Sequence, residues 1–186
     1  MKNITNNNRF ELTERCNNDK KKWKIVHPWD GRFIPLSSEE LFKEAKKLVK
    51  LLDTSNADYI VGFAEGGLIP AFAVSMVCDL PLIGSYRVRC KREHEMTFTE
   101  PHSERPNHFI YGLKPNDRII IIEDEITTGN TLINAMECFQ QHGVDVVDIG
   151  TFILVETPES KLPQVKTNWD REVKYLYSLE EASLPH

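Results

Sequence analysis

Residues 119–131 read IIIIEDEITTGNT. The β-branched run from Arg118 to Ile122 (RIIII) is apolar without alternation, as a central parallel strand covered on both faces requires. Glu123 and Asp124 follow where that strand ends, at the edge of the sheet where ligands of open α/β folds bind. Adjacent carboxylates at such a place are poor for stability but accept hydrogen bonds well from vicinal hydroxyls. Thr127, Thr128, Gly129, Asn130 and Thr131 then open into a helix expected from Thr131 to His142, with Gly143 as its stop. Threonine hydroxyls, free backbone N–H groups and the positive helix end converge on one point, and Gly129 permits a positive φ there. That combination is a phosphate cradle. It is not the nucleotide-hydrolase loop, which needs a lysine where Asn130 stands.

Working outward, Tyr59 to Phe63 (YIVGF) reads as a buried strand, and Ala64-Glu65-Gly66-Gly67 as a tight turn into an apolar helix from Leu68 to Cys78. Before it, Ser37 and Glu40 have capping-box spacing and Leu36 with Leu41 staple spacing. Leu41, Phe42, Ala45, Leu48, Val49 and Leu52 then recur at helical period. Strands are expected at Trp23–Trp29, Leu82–Val88, Phe109–Leu113, Ile149–Val155 and Val173–Tyr177. Residues 89–108 (RCKREHEMTFTEPHSERPNH) read as a long charged loop, which in a compact domain is functional or disordered. Strands alternating with helices predict an α/β fold, a Rossmann-like parallel sheet with helices on both faces. One domain is expected over residues 23–186, with a small cap or hood from about 23–36 and 159–186. Residues 1–22 are polar and expected to be flexible.

The chain has 186 residues, 40% of them hydrophobic and 27% charged, which suits a globular protein with a real core. A net charge of −5 argues against a nucleic-acid partner. It does not exclude a small anion held in a locally positive site. No apolar run is long enough for a membrane span, and Met1 to Asn6 lack a secretory pattern, so a cytoplasmic location is expected. Cys16, Cys78, Cys90 and Cys138 form no C-x-x-C pair and read as reduced thiols.

The string EDEITTGNT after its strand resembles the motif with which type I phosphoribosyltransferases bind 5-phosphoribosyl-1-pyrophosphate (PRPP). The resemblance covers roughly Trp23 to Glu156. It implies that Glu123 and Asp124 hold the ribose hydroxyls and that Thr127, Thr128, Gly129, Asn130 and Thr131 hold the 5-phosphate. It also implies a pyrophosphate loop at Ala64, Glu65, Gly66 and Gly67, with a cis Ala64–Glu65 peptide. Hypoxanthine/guanine enzymes of the family place an aspartate where Thr127 stands, so the resemblance leans to the orotate- and adenine-like branches. Arg87, Arg89, Lys91, Arg92 and His94 resemble the basic loop that closes over the diphosphate in orotate enzymes. Either Arg89, Arg92 and His94 or Arg87 and Lys91 match its spacing. Phe98-Thr99-Glu100-Pro101-His102-Ser103 with the later His108 resembles a smaller accessory-cluster branch, and Glu100 or His102 becomes a candidate to orient or deprotonate the acceptor.

The implied activity is a Mg²⁺-dependent transfer of phosphoribose from PRPP to a small heterocyclic or aromatic acceptor. The metal would be held mainly by PRPP oxygens, with Asp124 contributing through water. Trp23, Trp29 and Phe33 are aromatic candidates for the acceptor's ring, although core packing is the commoner fate of such residues. Dimers are common in the family, so a homodimer is compatible. The alternative is a regulatory protein that binds PRPP without transferring it.

Overall fold

The computed structural model describes residues 10–14, 23–101 and 103–180. An antiparallel ribbon, β1 (Glu11–Glu14) and β2 (Trp23–Val26), comes first. Then come α1 (Ser38–Val49), β3 (Tyr59–Gly62), α2 (Leu68–Cys78) and β4 (Leu82–Gly84). A second antiparallel ribbon, β5 (Met96–Thr99) and β6 (Asn107–Ile110), precedes β7 (Arg118–Ile126) and α3 (Asn130–Gln141). The chain continues through β8 (Asp145–Glu156), α4 (Leu162–Trp169) and β9 (Val173–Glu180). The central sheet has five strands in the order β4-β3-β7-β8-β9, every pair parallel.

Alternation along β7 divides the core. Ile119 and Ile121 pack on Leu132, Ala135, Met136 and Phe139 of α3. Ile120 and Ile122 pack on Leu41, Ala45 and Leu48 of α1 and on Ala71 and Val74 of α2. All four isoleucines are fully buried, each worth about 2 kcal/mol of transfer free energy. The unbroken β-branched run is therefore the mark of a strand with helices on both sides. The N-terminus of α1 is capped as its spacing predicts, with the Glu40 N–H donating to Ser37 Oγ at 3.3 Å.

The topology also locates the site. From β3 the chain crosses to β4 on one side, and from β7 it crosses to β8 on the other. The switch point lies between β3 and β7, where the carboxyl ends of diverging strands leave a crevice. After β3 comes the Ala64–Gly67 turn, whereas β7 does not end before the acids as expected but carries Glu123 and Asp124 near its end, before the Thr127–Gly129 connection to α3.

Several boundaries differ from expectation. Glu11–Glu14, placed by composition in a flexible N-terminal stretch, pairs with β2. The strand expected over Leu82–Val88 stops at Gly84, because Tyr86 turns away and bridges Phe109 through two backbone hydrogen bonds of 2.7 and 2.8 Å. The expected irregular loop at 89–108 instead contains β5 and the start of β6, with Met96 and Phe98 pointing inward. The C-terminal part of the expected hood is not a cap, since β9 is the fifth strand of the sheet. The sequence reading missed α4 because Val165 is its one buried residue, too little for an apolar stripe.

Candidate active site

Asp124 is 5% exposed. Arg32 Nη2 donates to its Oδ2 at 3.0 Å, while Arg32 Nε donates to Asp30 Oδ2 at 2.7 Å. His27 Nε2 lies 3.4 Å from Asp124 Oδ2 and 3.8 Å from Asp30 Oδ2. Burial alone would raise the Asp124 pKa. His27, Lys24 and Arg32 outweigh it and hold the carboxyl well below the ordinary carboxylate range. His27, Asp30 and Asp124 bring ligand atoms within 4.8 Å of one another, the spacing a metal would need. Arg32 already bridges both carboxylates, however. Moreover, the Trp29 N–H donates to His27 Nδ1 at 3.3 Å, which leaves the proton on Nε2, facing the acids. Arg32 thus ties the two acids together, and the buried His27 Nε2 keeps no hydrogen-bond partner among the described residues.

Glu123 behaves oppositely. Its burial, and then the charge of Asp124, push its pKa well above the ordinary value. Its buried Oε1 has no hydrogen-bond partner among the described residues. The carboxylate rests against Gly67, where an added Cβ would lie 2.9 Å from Oε1. An unsatisfied buried oxygen beside an ion-paired neighbour suits a ligand hydroxyl or a hydrated hard cation.

Beyond the pair, Gly129 adopts φ +76 as the residue before α3, a conformation that favours glycine. Gly129, the N-cap residue, offers α3 no side-chain cap, which suits a helix end that meets an anion. Asn130 Nδ2 donates to Thr128 Oγ1 at 2.9 Å. The start of α4 braces the loop from outside. Lys161 N–H donates to the Thr128 carbonyl at 2.8 Å, and Leu162 covers Gly129.

Across the crevice, the Ala64–Glu65 peptide is cis, as the resemblance implies. Arg87 Nη2 donates to the Ala64 carbonyl at 2.7 Å and also pairs with Glu100 Oε2. Burial would raise the Glu100 pKa, but His108 and Arg87 outweigh it and lower the value to about 2.

One cavity of about 680 Å³ gathers most of the expected residues. Glu123, Asp124, Thr127, Thr128, Gly129, Asn130 and Thr131 line it from β7 and α3, with Ala64, Glu65, Gly66, Arg87 and Glu100 from the opposite wall. Gly67 lies beneath Glu123 instead of facing the cavity. Arg89, Lys91 and His94 are not brought to it. Arg89 has a side chain 73% exposed and pairs with Glu95, and Lys91 lines a separate shallow depression with Tyr86, Cys90 and Tyr111. Their charge run is solvated, and of the basic cluster Arg87 alone reaches the site. His102 lies outside the described residues. Trp29 is 1% exposed, stacked on Tyr177 at 5.0 Å, and so belongs to the core rather than to an acceptor site. Glu125 pairs with Lys24 at 3.4 Å.

Sequence reasoning missed Lys24, Arg32 and Ser85, and noted His108 only for its position. Arg32 falls in Trp29–Pro35 (WDGRFIP), a stretch that loosely resembles the accessory-cluster branch but where no periodicity or spacing marks the arginine. Its partner is 92 residues away.

Residues 10–182 match the family described as phosphoribosyl transferase. The chain belongs to this family. The phosphoribosyltransferase is 31% identical over 142 residues to the hypoxanthine/guanine phosphoribosyltransferase of Methanobacterium lacus, spanning 74% of its own chain and 71% of the relative. It is 32% identical over 143 residues to the enzyme of that name from Methanospirillum hungatei, spanning 75% and 77%. Among solved structures its fold is similar to adenine phosphoribosyltransferase of Giardia lamblia complexed with 9-deazaadenine. The TM-score is 0.72 at 14% identity, over 91% of this chain and 93% of that one. The Trypanosoma brucei adenine enzyme, in complex with AMP, pyrophosphate and ribose-5-phosphate, gives 0.69 at 13% identity, over 95% and 80%. Identity this low speaks to the fold alone. The phosphoribosyltransferase thus has sequence relatives named for hypoxanthine and guanine, which runs against the expectation of an orotate- or adenine-like branch drawn from Thr127. Among its described residues no helix is long and apolar enough to cross a membrane.

Proposed function

We propose that this phosphoribosyltransferase moves the 5-phosphoribosyl group of PRPP to a purine base and releases pyrophosphate. The observation that carries the proposal is convergence. An acid pair, an uncapped helix N-terminus rich in hydroxyls, and the Ala64–Gly66 turn all face one cavity. The printed names of its relatives support a purine as acceptor.

In this reading the N–H groups at the start of α3, with Thr128 and Thr131, hold the 5-phosphate. Glu123 and Asp124 accept hydrogen bonds from the ribose hydroxyls, which compete with Arg32 for Asp124 Oδ2. Ala64, Glu65 and Gly66 present backbone to the pyrophosphate, and Arg87 adds charge. Magnesium, when bound with PRPP, would sit on phosphate oxygens with Glu123 and Asp124 as the nearby hard donors, and would neutralise the leaving pyrophosphate. A nitrogen of the base bonds to C1 as the C1–O bond to pyrophosphate breaks, and the proton of that nitrogen passes to water or to the departing pyrophosphate. With a pKa of about 2 and two partners, Glu100 is too weak a base to take the acceptor's proton, so its part is to orient.

Pyrophosphate release with PRPP and Mg²⁺ across hypoxanthine, guanine, adenine and orotate tests this. The expected result is release that requires one of the purines. Asp124→Ala should lower it on the order of 10²-fold and Thr128→Ala roughly tenfold. Release from none of the four bases, or release indifferent to both variants, would reject the proposal.

A further inference from the structure

His108 sits on β6, 1% exposed and stacked on Phe98 with ring centroids 4.7 Å apart and planes 7° from parallel. Its two nitrogens reach different segments of the chain. Nδ1 lies 2.8 Å from Ser85 Oγ, and Nε2 lies 3.4 Å from Glu100 Oε2. The surrounding groups suit one neutral tautomer. The Ala64 N–H donates to Ser85 Oγ at 2.8 Å, so the serine's own proton is free to go to His108 Nδ1. Nδ1 is then bare, and Nε2–H points at the Glu100 carboxylate. Glu100 holds Arg87, which in turn donates to the Ala64 carbonyl at 2.7 Å. The ring closes on Ala64, whose N–H is held through Ser85 and whose C=O is held through Arg87. Among the described residues His108 is the one side chain seen to join the two arms. Burial lowers the imidazole's pKa from its ordinary value, in keeping with the neutral tautomer.

We infer that His108 is a positioning residue: through Ser85 and Glu100 it fixes both backbone groups of Ala64, and so sets the wall of the cavity that meets the pyrophosphate. The inference rests on reading Ala64–Gly66 as the pyrophosphate cradle. A merely structural core histidine would support the fold without favouring one ligand. A positioning histidine acts on the pyrophosphate end and leaves the sugar-phosphate end alone.

Two ligands and two variants separate these cases. His108→Phe keeps the stack on Phe98 and removes both polar arms. His108→Asn retains an acceptor where Nδ1 stands and so keeps the Ser85 arm. With Mg²⁺ present, calorimetry should show His108→Phe weakening PRPP roughly tenfold while ribose 5-phosphate changes by less than about twofold. By NMR, exchange of the Ala64 amide should speed roughly tenfold in His108→Phe and return close to wild type in His108→Asn. Should His108→Phe fail to fold, Ser85→Ala cuts one of the two arms and is expected to weaken PRPP in part, again with ribose 5-phosphate changing by less than about twofold. Equal weakening of both ligands, or an Ala64 amide that exchanges as in wild type, would overturn the inference. If the wild type bound neither ligand, the functional reading would fall, and Ala64 exchange would still decide the part played by His108.

Discussion

Glu123 and Asp124 are neighbours in sequence and opposites in chemistry. Asp124 has His27, Lys24 and Arg32 around it and stays ionised, whereas Glu123 has a raised pKa and a buried oxygen without a partner among the described residues. A raised carboxyl pKa means that the folded chain holds a proton which the unfolded chain would release. Glu123 therefore favours folding below about pH 4.5, the ordinary glutamate value, and that contribution is lost as pH rises toward its folded pKa. Replacing it with a neutral isostere removes the penalty. Glu123→Gln is expected to be more stable than wild type at pH 8, with the difference vanishing near pH 4, while binding ribose 5-phosphate more weakly. Urea denaturation at the two pH values checks it, and a variant less stable than wild type at pH 8 would contradict it. The acid pair itself was legible from sequence, since adjacent carboxylates closing a buried strand have no structural motive. The asymmetry was not legible, because it comes from Lys24, His27 and Arg32, about a hundred positions away, and spacing carries no signal over that distance.

Among the elements, the ribbon of β5 and β6 does the most that the sequence concealed. Its inward residues Met96 and Phe98 alternate with threonines, a period-two pattern only four residues long inside a charged stretch. Charge density suggested a mobile loop. Two buried side chains, with Phe98 against Phe63 at 4.8 Å, suffice to dock it. Docking is what delivers Glu100 to Arg87 and Ala64 and leaves Arg89, Lys91 and His94 in solvent. By contrast β3, α2 and α3 were read to within a residue, since apolar runs and glycine stops are local signals, whereas β4 ends four residues early, β7 runs on through the acids to Ile126 and β8 begins four residues early at Asp145. β9 was read as a strand but assigned to a cap, because the side on which it joins the sheet is a tertiary choice. Glu100 gives this element a pH signature. Its pKa is depressed from 4.5 to about 2, so its contribution to stability is full above about pH 4.5 and is lost as pH falls toward 2. Its side chain is 35% exposed, and water screens part of the effect. Chemical denaturation between pH 3 and 6 is expected to show wild type losing stability more steeply on acidification than Glu100→Gln. Parallel curves would show that Glu100 has no special role in docking the ribbon.

At the scale of the molecule, function follows from where the sheet changes direction. The chain diverges from β3 toward β4 and from β7 toward β8, and the loops after β3 and β7 face each other across the resulting crevice. One side carries hydroxyls, acids and a helix end. The other carries close-set backbone made possible by small residues, as at Gly66, where a Cβ would fall 2.2 Å from Asp124 Oδ2. α4 braces the first loop from behind, and the β5–β6 ribbon braces the second. A sugar carrying phosphate at one end and pyrophosphate at the other matches that layout, and family membership agrees with it. The most direct test is a calorimetric titration of PRPP, with Mg²⁺ present, into wild type and Thr128→Val. The expected result is saturable uptake of one PRPP per chain, weakened on the order of tenfold when the Thr128 hydroxyl is removed. No saturable heat with the wild type, or identical isotherms for the two proteins, would contradict the account.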